Sequence, residues 1–333
     1  MVRRFLLLAI LLSFAVSGST AQHPTLHPDD RIRIAEAFRL ADAVQEDVWT
    51  GWGQVPFAVL LVTPDQEFLI RHPSPSDQFT RAAFDSLLQS DVFVRKRVFS
   101  PNLLATFPAD NGVPTVVVGQ PENTGRSSTH WVVTLLHEHF HQLQLSEPDY
   151  YPAVEALDLA GGDESGMWML NYPFPYDSAA VVEQFDTLQR AALEALQAPH
   201  NPAFAEKVNS YRQAKHQLRD LLPKDDYRYL SFQLWQEGVA RYTEYKVALA
   251  AAHYEPTGAF RKLEDYVPFD ETAQTLFNTL ITELQEGSLG RMQRVTFYPL
   301  GAAEALLLDR ANPGWQQRYL KDKFYLEAYF DKE

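Results

Sequence analysis

The sequence predicts an α+β fold, with strands and helices mixed in the first part and helices almost throughout the second. Three observations lead there. Short apolar runs at 56–62, 67–70 and 114–119, rich in Val and Leu and bounded by Pro, Gly and Asp, read as strands. From Ser127 onward, apolar residues recur at helical spacing. No repeat, low-complexity tract or flexible linker interrupts the 333 residues, so one unit with two lobes is the economical division.

The elements follow in order. Met1-Val2-Arg3-Arg4, an apolar run from Phe5 to Val16, and Ser19-Thr20-Ala21 ahead of Gln22 form the pattern of a secretory signal peptide over residues 1–21. The run is too short to cross a bilayer with ease, which disfavours the alternative of an uncleaved anchor. Residues 22–146 are expected to form the α/β lobe. In it, 31–48 read as a helix capped by Asp29 or Asp30. Two strands joined at Thr63-Pro64-Asp65-Gln66 follow, and then a β segment at 114–119, taken as an edge strand. Residues 147–333 are expected to form the helical lobe. Helices are predicted at 129–145, 178–197, 203–222, 226–253, 271–285 and 301–308, with a last one after Pro313. An aromatic, proline-bearing loop spans 161–176.

Composition narrows the chemistry. There is no cysteine, so no disulfide and no thiolate ligand is available, and a metal site would have to use His, Asp, Glu or water. A chain of this length buries an adequate core without staples. Net charge is -14; without Arg3 and Arg4, 27 basic residues stand against 43 acidic ones, a net -16. That balance argues against nucleic acid or an anionic membrane surface as partner. With the signal peptide removed, no apolar run approaches spanning length, and no stable membrane insertion is expected.

The segment Leu135-Leu136-His137-Glu138-His139-Phe140-His141-Gln142 carries H-E-x-x-H at His137, Glu138 and His141. Residues four apart on a helix lie about 40° apart around the axis, so both imidazoles face one cleft. Two neutral ring nitrogens there suit one Zn²⁺, with Glu138 beside them to take a proton from water. His139 lies about 200° around from His137 and cannot join the same ion; it reads as a packed, hydrogen-bonded histidine, as does His130. Zinc needs a third protein ligand and one position left open.

Glu237-Gly238-Val239-Ala240-Arg241-Tyr242-Thr243-Glu244 resembles the E-G-x-A-x-Y-x-E helix of the gluzincins, the neutral zinc aminopeptidases in particular. In that family the Glu before Gly completes an H-E-x-x-H site. The resemblance therefore implies Glu237 as third ligand, a zincin (gluzincin-like) fold with zinc between two lobes, and metallopeptidase activity on a peptide or protein substrate. The competing reading of Glu237 is a surface carboxylate paired with Arg241. The likeness covers two helices only, and here 95 residues separate His141 from Glu237, where the family places them close together.

Glu244 lies about 10 Å beyond Glu237 along a helix, too far for the same ion; it either orients a ligand imidazole or forms a surface salt bridge. Glu122, in Gly119-Gln120-Pro121-Glu122-Asn123, faintly echoes a family motif whose Glu holds a substrate amine, against the plainer reading of a turn residue. Tyr298, placed on a short irregular or extended segment before a helix at Gly301, is a candidate second catalytic group, donating to the oxyanion; Tyr242, Tyr229 or a histidine are the next choices. The alternatives to a secreted or periplasmic peptidase are a zincin-fold scaffold without turnover and a zinc hydrolase of another amide or ester.

Overall fold

A computed structural model describes residues 25–199 and 202–331, and the expected signal peptide lies outside the described residues. The architecture is mixed α+β: one six-stranded sheet in the first part and helices packed against it and one another in the second.

Helix α1 (Pro28–Val48) is capped by neither Asp29 nor Asp30. His27 takes that place, its Nδ1 accepting from the Asp29 amide at 3.3 Å, and the two aspartates occupy the first turn, where carboxylates suit the helix dipole. The strands are β1 (Val59–Val62), β2 (Gln66–Ile70), β3 (Thr80–Asp85), β4 (Ser90–Lys96), β5 (Leu104–Asp110) and β6 (Val113–Gly119), in spatial order β3-β4-β2-β1-β6-β5. Only β1 and β6 pair in parallel, Val59 opposite Val116. Both are central, with apolar cores on both faces of the sheet, which accounts for their continuous apolar sequence.

The expectation that 114–119 form an edge strand is corrected: β6 is interior, and the edge on that side is β5. A two-residue turn joins them, with Asn111 at φ 43° and Gly112 at φ 71°, the pairing that twisted hairpins favour.

Helix α3 (Ser128–Ser146) lies across the sheet. Trp131 Nε1 donates to the Gly119 carbonyl (2.8 Å) and Gln142 Nε2 to the Pro114 carbonyl (2.7 Å), tying the helix to both ends of β6. The predicted helix over 226–253 is broken in the middle. It runs as α8 (Lys224–Gln233), a π-helical turn (Leu234–Gly238) and α9 (Val239–Ala251). Such turns often mark functional positions, because one extra residue re-aims the side chains.

Helices α6 (Ala179–Gln197), α7 (Ala203–Leu221) and α10 (Phe269–Glu286) complete the helical part with α12 (Phe297–Ala311), and short helices α2 (Pro121–Thr124), α4 (Tyr150–Glu155), α5 (Trp168–Asn171), α11 (Leu289–Met292) and α13 (Gln316–Tyr319) lie between or after the long ones. One buried cluster runs from α1 and the sheet through α3 into these helices, so the molecule shares a core across its length. Among the described residues no helix is long and apolar enough to cross a membrane.

Candidate metal centre

Two helices separated in sequence bring three ligand side chains together. α3 supplies His137 and His141, whose ring centroids are 5.1 Å apart. The π-helical turn supplies Glu237, whose Oε2 is 3.6 Å from His141 Nε2. One ligand atom from each of the three falls within 4.8 Å of the others. Ligands on a tetrahedral Zn²⁺ at 2.0–2.1 Å lie about 3.4 Å apart, so small side-chain movements close the set around one ion. Two imidazoles and one carboxylate, mostly buried, form a group that could hold a metal ion.

The surroundings fix the ring orientations. His141 Nδ1 lies 2.6 Å from Gln144 Oε1, whose own Nε2 donates to the Gln236 carbonyl (3.0 Å) and to the Tyr319 hydroxyl (2.6 Å). That network makes the amide oxygen the acceptor, puts a proton on Nδ1, and turns Nε2 toward Glu237. On the other ligand, Glu244 Oε2 stands 3.5 Å from His137 Nδ1. Of the two readings of Glu244, the buried arrangement favours the orienting one, and Arg241 (2.9 Å) and His130 (3.3 Å) hold the same carboxylate. Burial opposes the charge on Glu244, but Arg241 and the two histidines prevail and keep it well below the usual carboxylate range. Arg241 is therefore the partner of Glu244 and not of Glu237.

In the absence of metal, His141 and Glu237 form an ion pair. Burial depresses the His141 imidazolium, yet Glu237 outweighs it and the group rises to about 9. Burial pushes Glu237 the other way, and His141 pulls it down to about 2.

Glu138 is buried beside this group, with the Thr106 hydroxyl of β5 2.9 Å from both its carboxylate and its backbone carbonyl. His139 faces away, stacked on Phe57 at 4.0 Å and bonded to Gln142 Oε1 at 2.8 Å; burial takes it down to about 3, so it is neutral.

Tyr298 lies not on an irregular segment but in the first turn of α12. It lies within electrostatic reach of Glu237, and Arg294 Nη1 donates to its hydroxyl at 2.8 Å. Burial and then Glu237 hold the phenol well above its ordinary range, so it stays a donor. A backbone crossing sets this proximity. A Cβ on Gly238 would fall 2.4 Å from Gly301 Cα, and one on Gly301 would fall 2.6 Å from the Leu234 carbonyl oxygen. Only two glycines allow α12 to lie this close to the π-helical turn. Gln293, next to Arg294, takes φ 50° and ψ -133°, a backbone that costs of order 1–3 kcal/mol outside glycine.

Of the other candidates, Tyr242 donates to Asp309, and Glu122 pairs with Arg33 at 3.1 Å near the start of α3. Tyr229 packs on Tyr172 and donates to the Met169 carbonyl at 2.9 Å, within electrostatic reach of Arg294 and Glu237. Thr106, Gln144, Arg126 and Arg294 went unnoticed in the sequence. Gln144 was legible as the i+3 neighbour of His141; the others reach the site through tertiary contacts. No protein-family model matches the chain, and neither curated proteins nor solved structures show significant similarity to it.

Proposed function

We propose that the chain is an exported zinc-dependent hydrolase of gluzincin-like fold that cleaves peptide bonds in peptides or proteins. The observation that carries the reading is the meeting of His137, His141 and Glu237 from two helices, with Glu138 beside them and a polar partner behind each histidine. Bound there, Zn²⁺ would supply a Lewis acid for the substrate carbonyl and lower the pKa of water.

The chain's own groups do the rest. Glu138 takes the proton of the attacking water and passes it to the leaving nitrogen, while Thr106 holds the carboxylate in place. Tyr298, beside Glu237, donates its hydroxyl to the oxygen on which charge develops, and Arg294, bonded to the same hydroxyl, makes it a stronger donor. The open edge of β5 offers main-chain hydrogen bonds to an extended substrate.

Glu138→Gln tests this reading. It should keep its zinc while hydrolysis of a mixed peptide library falls by about 10²–10⁴-fold. Tyr298→Phe should lose about 10²–10³-fold in kcat with zinc content and folding unchanged. Undiminished cleavage in Glu138→Gln would dismiss the mechanism, and a zinc-loaded wild type inert on every peptide would favour a scaffold.

A further inference from the structure

The fold gives the cleft a direction. Trp131, near the start of α3, bonds to the end of β6, and Gln142, near the end of α3, bonds to its start, so helix and strand run antiparallel. β5 is also antiparallel to β6 and therefore runs the same way as α3, with Thr106 against Glu138. A peptide added antiparallel to the free edge of β5 runs from the Asp110 end toward the Leu104 end. Its C-terminal part then lies over the first half of α3. The chemistry agrees independently: Glu138 protonates the leaving nitrogen, so the C-terminal fragment departs on the Glu138 side.

Arg126 stands at that end. Its Nε donates to Thr134 Oγ1 at 3.0 Å, one helical turn before Glu138, and its Nη1 donates to the Thr124 carbonyl at 3.2 Å. It is part-buried, with Glu244, Arg241 and Glu138 within electrostatic reach. Yet among the described residues no carboxylate forms an ion pair with it, whereas its neighbour Arg241 is engaged by Glu244 and Glu283. A guanidinium partly withdrawn from water, without a counter-ion in contact, is a fork suited to an incoming carboxylate. The spacing fits. Thr134 and Glu138 are about 6 Å apart along the helix axis, and an extended chain advances about 3.3–3.6 Å per residue. A carboxylate one or two residues past the scissile bond comes level with Arg126.

We propose that Arg126 receives the free C-terminal carboxylate of the substrate, so that the site releases one or two residues from the C-termini of peptides. The inference rests on the hydrolytic reading above. It parts from the amino-terminal specificity of the aminopeptidases that the Glu237 helix resembles, and Glu122, the candidate amine holder, is paired with Arg33 instead. In the step, the C–N bond breaks, the acyl carbon gains the oxygen of one water as a new carboxylate, and the amine gains a proton through Glu138.

Binding and turnover test different parts of this. Calorimetry on zinc-loaded Glu138→Gln should show an N-acetylated tripeptide acid binding about tenfold or more tightly than the same peptide as its amide. Adding Arg126→Gln should erase that preference at unchanged zinc content, and Arg126→Lys should restore part of it. Equal affinity for acid and amide, or a preference that survives Arg126→Gln because the metal takes the carboxylate, overturns the assignment whatever the turnover. With wild type, mass spectrometry should show one- or two-residue C-terminal fragments from the acid and slow cleavage of the amide. Internal cleavage indifferent to the terminus also overturns it. No cleavage of any peptide sinks the hydrolase reading instead, while the binding comparison still decides the role of Arg126.

Discussion

Two clusters of buried charge occupy this molecule, and they are built on opposite plans. In the helical part, Lys215 Nζ lies 2.7 Å from both oxygens of Glu304 and 2.9 Å from Glu327, which also accepts from Tyr227. Its side chains point at one another, with the one cation in direct contact with both carboxylates. At the candidate metal centre His141 and His137 are supported from behind, by Gln144 and Glu244, and one further atom from each histidine and from Glu237 lies within 4.8 Å of the others. A closed cluster holds helices together; a cluster supported from outside and open within is organised to hold something else. Burial of charge alone does not distinguish them.

The largest expected effect separates the two plans. Lys215→Met leaves Glu304, which is fully buried, without its cation, and should cost about 3–5 kcal/mol in denaturant unfolding while zinc affinity stays at the wild-type value. A drop in zinc affinity would mean that the clusters are coupled and the contrast is false. Glu244→Ala should do the reverse at the other cluster. It removes the carboxylate behind His137, so zinc affinity should fall by about ten- to hundredfold in a competition titration. Affinity equal to wild type would reduce Glu244 to a salt-bridge partner of Arg241.

A smaller effect concerns pH. In the metal-free chain Glu237 raises His141 to about 9 against the pull of burial, whereas an unfolded imidazole titrates near 6.5. The stability this pair contributes is therefore complete between about pH 4.5 and 6.5, is lost as pH rises through about 9, and is lost again as pH falls toward about 2, where Glu237 takes a proton. Zinc has to displace the His141 proton, so its binding should strengthen as pH rises through about 9. At pH 7.5, calorimetry in buffers of different ionisation enthalpy should detect close to one proton released from His141. Binding without proton release would show that the pair does not exist in solution.

The candidate ligand cluster was legible because its geometry is local or motif-bound. His137 and His141 are one turn apart on a helix that forms as expected, and His139 points into the core between aromatic rings, as its angular offset requires. Glu237 came from a resemblance, since nothing in spacing alone relates it to His141 across 95 residues. What escaped depends on contacts between distant segments. β3, β4 and β5 were not anticipated: β3 is largely exposed and carries Arg81 and Asp85, β4 ends in Arg95 and Lys96, and β5 contains Pro108. Charges and proline suit strands at or near an edge and blur the alternation that reveals interior ones. The Asn111-Gly112 turn was a readable hairpin signal that would have exposed β5, and with it the edge beside Glu138. Tyr298 was named for its chemistry, but its placement in α12 depends on the Gly238–Gly301 crossing, which no single helix pattern discloses.

The most direct test is X-ray absorption at the zinc edge on the purified chain, with metal content measured on the same sample. The expected result is one zinc per chain with two imidazole nitrogens and lighter-atom ligands at about 2.0–2.1 Å, and loss of stoichiometric zinc in Glu237→Ala. A Glu237→Ala protein that retains one zinc in an unchanged environment, or a wild type with three or more imidazoles around the ion, would contradict the His137, His141 and Glu237 centre.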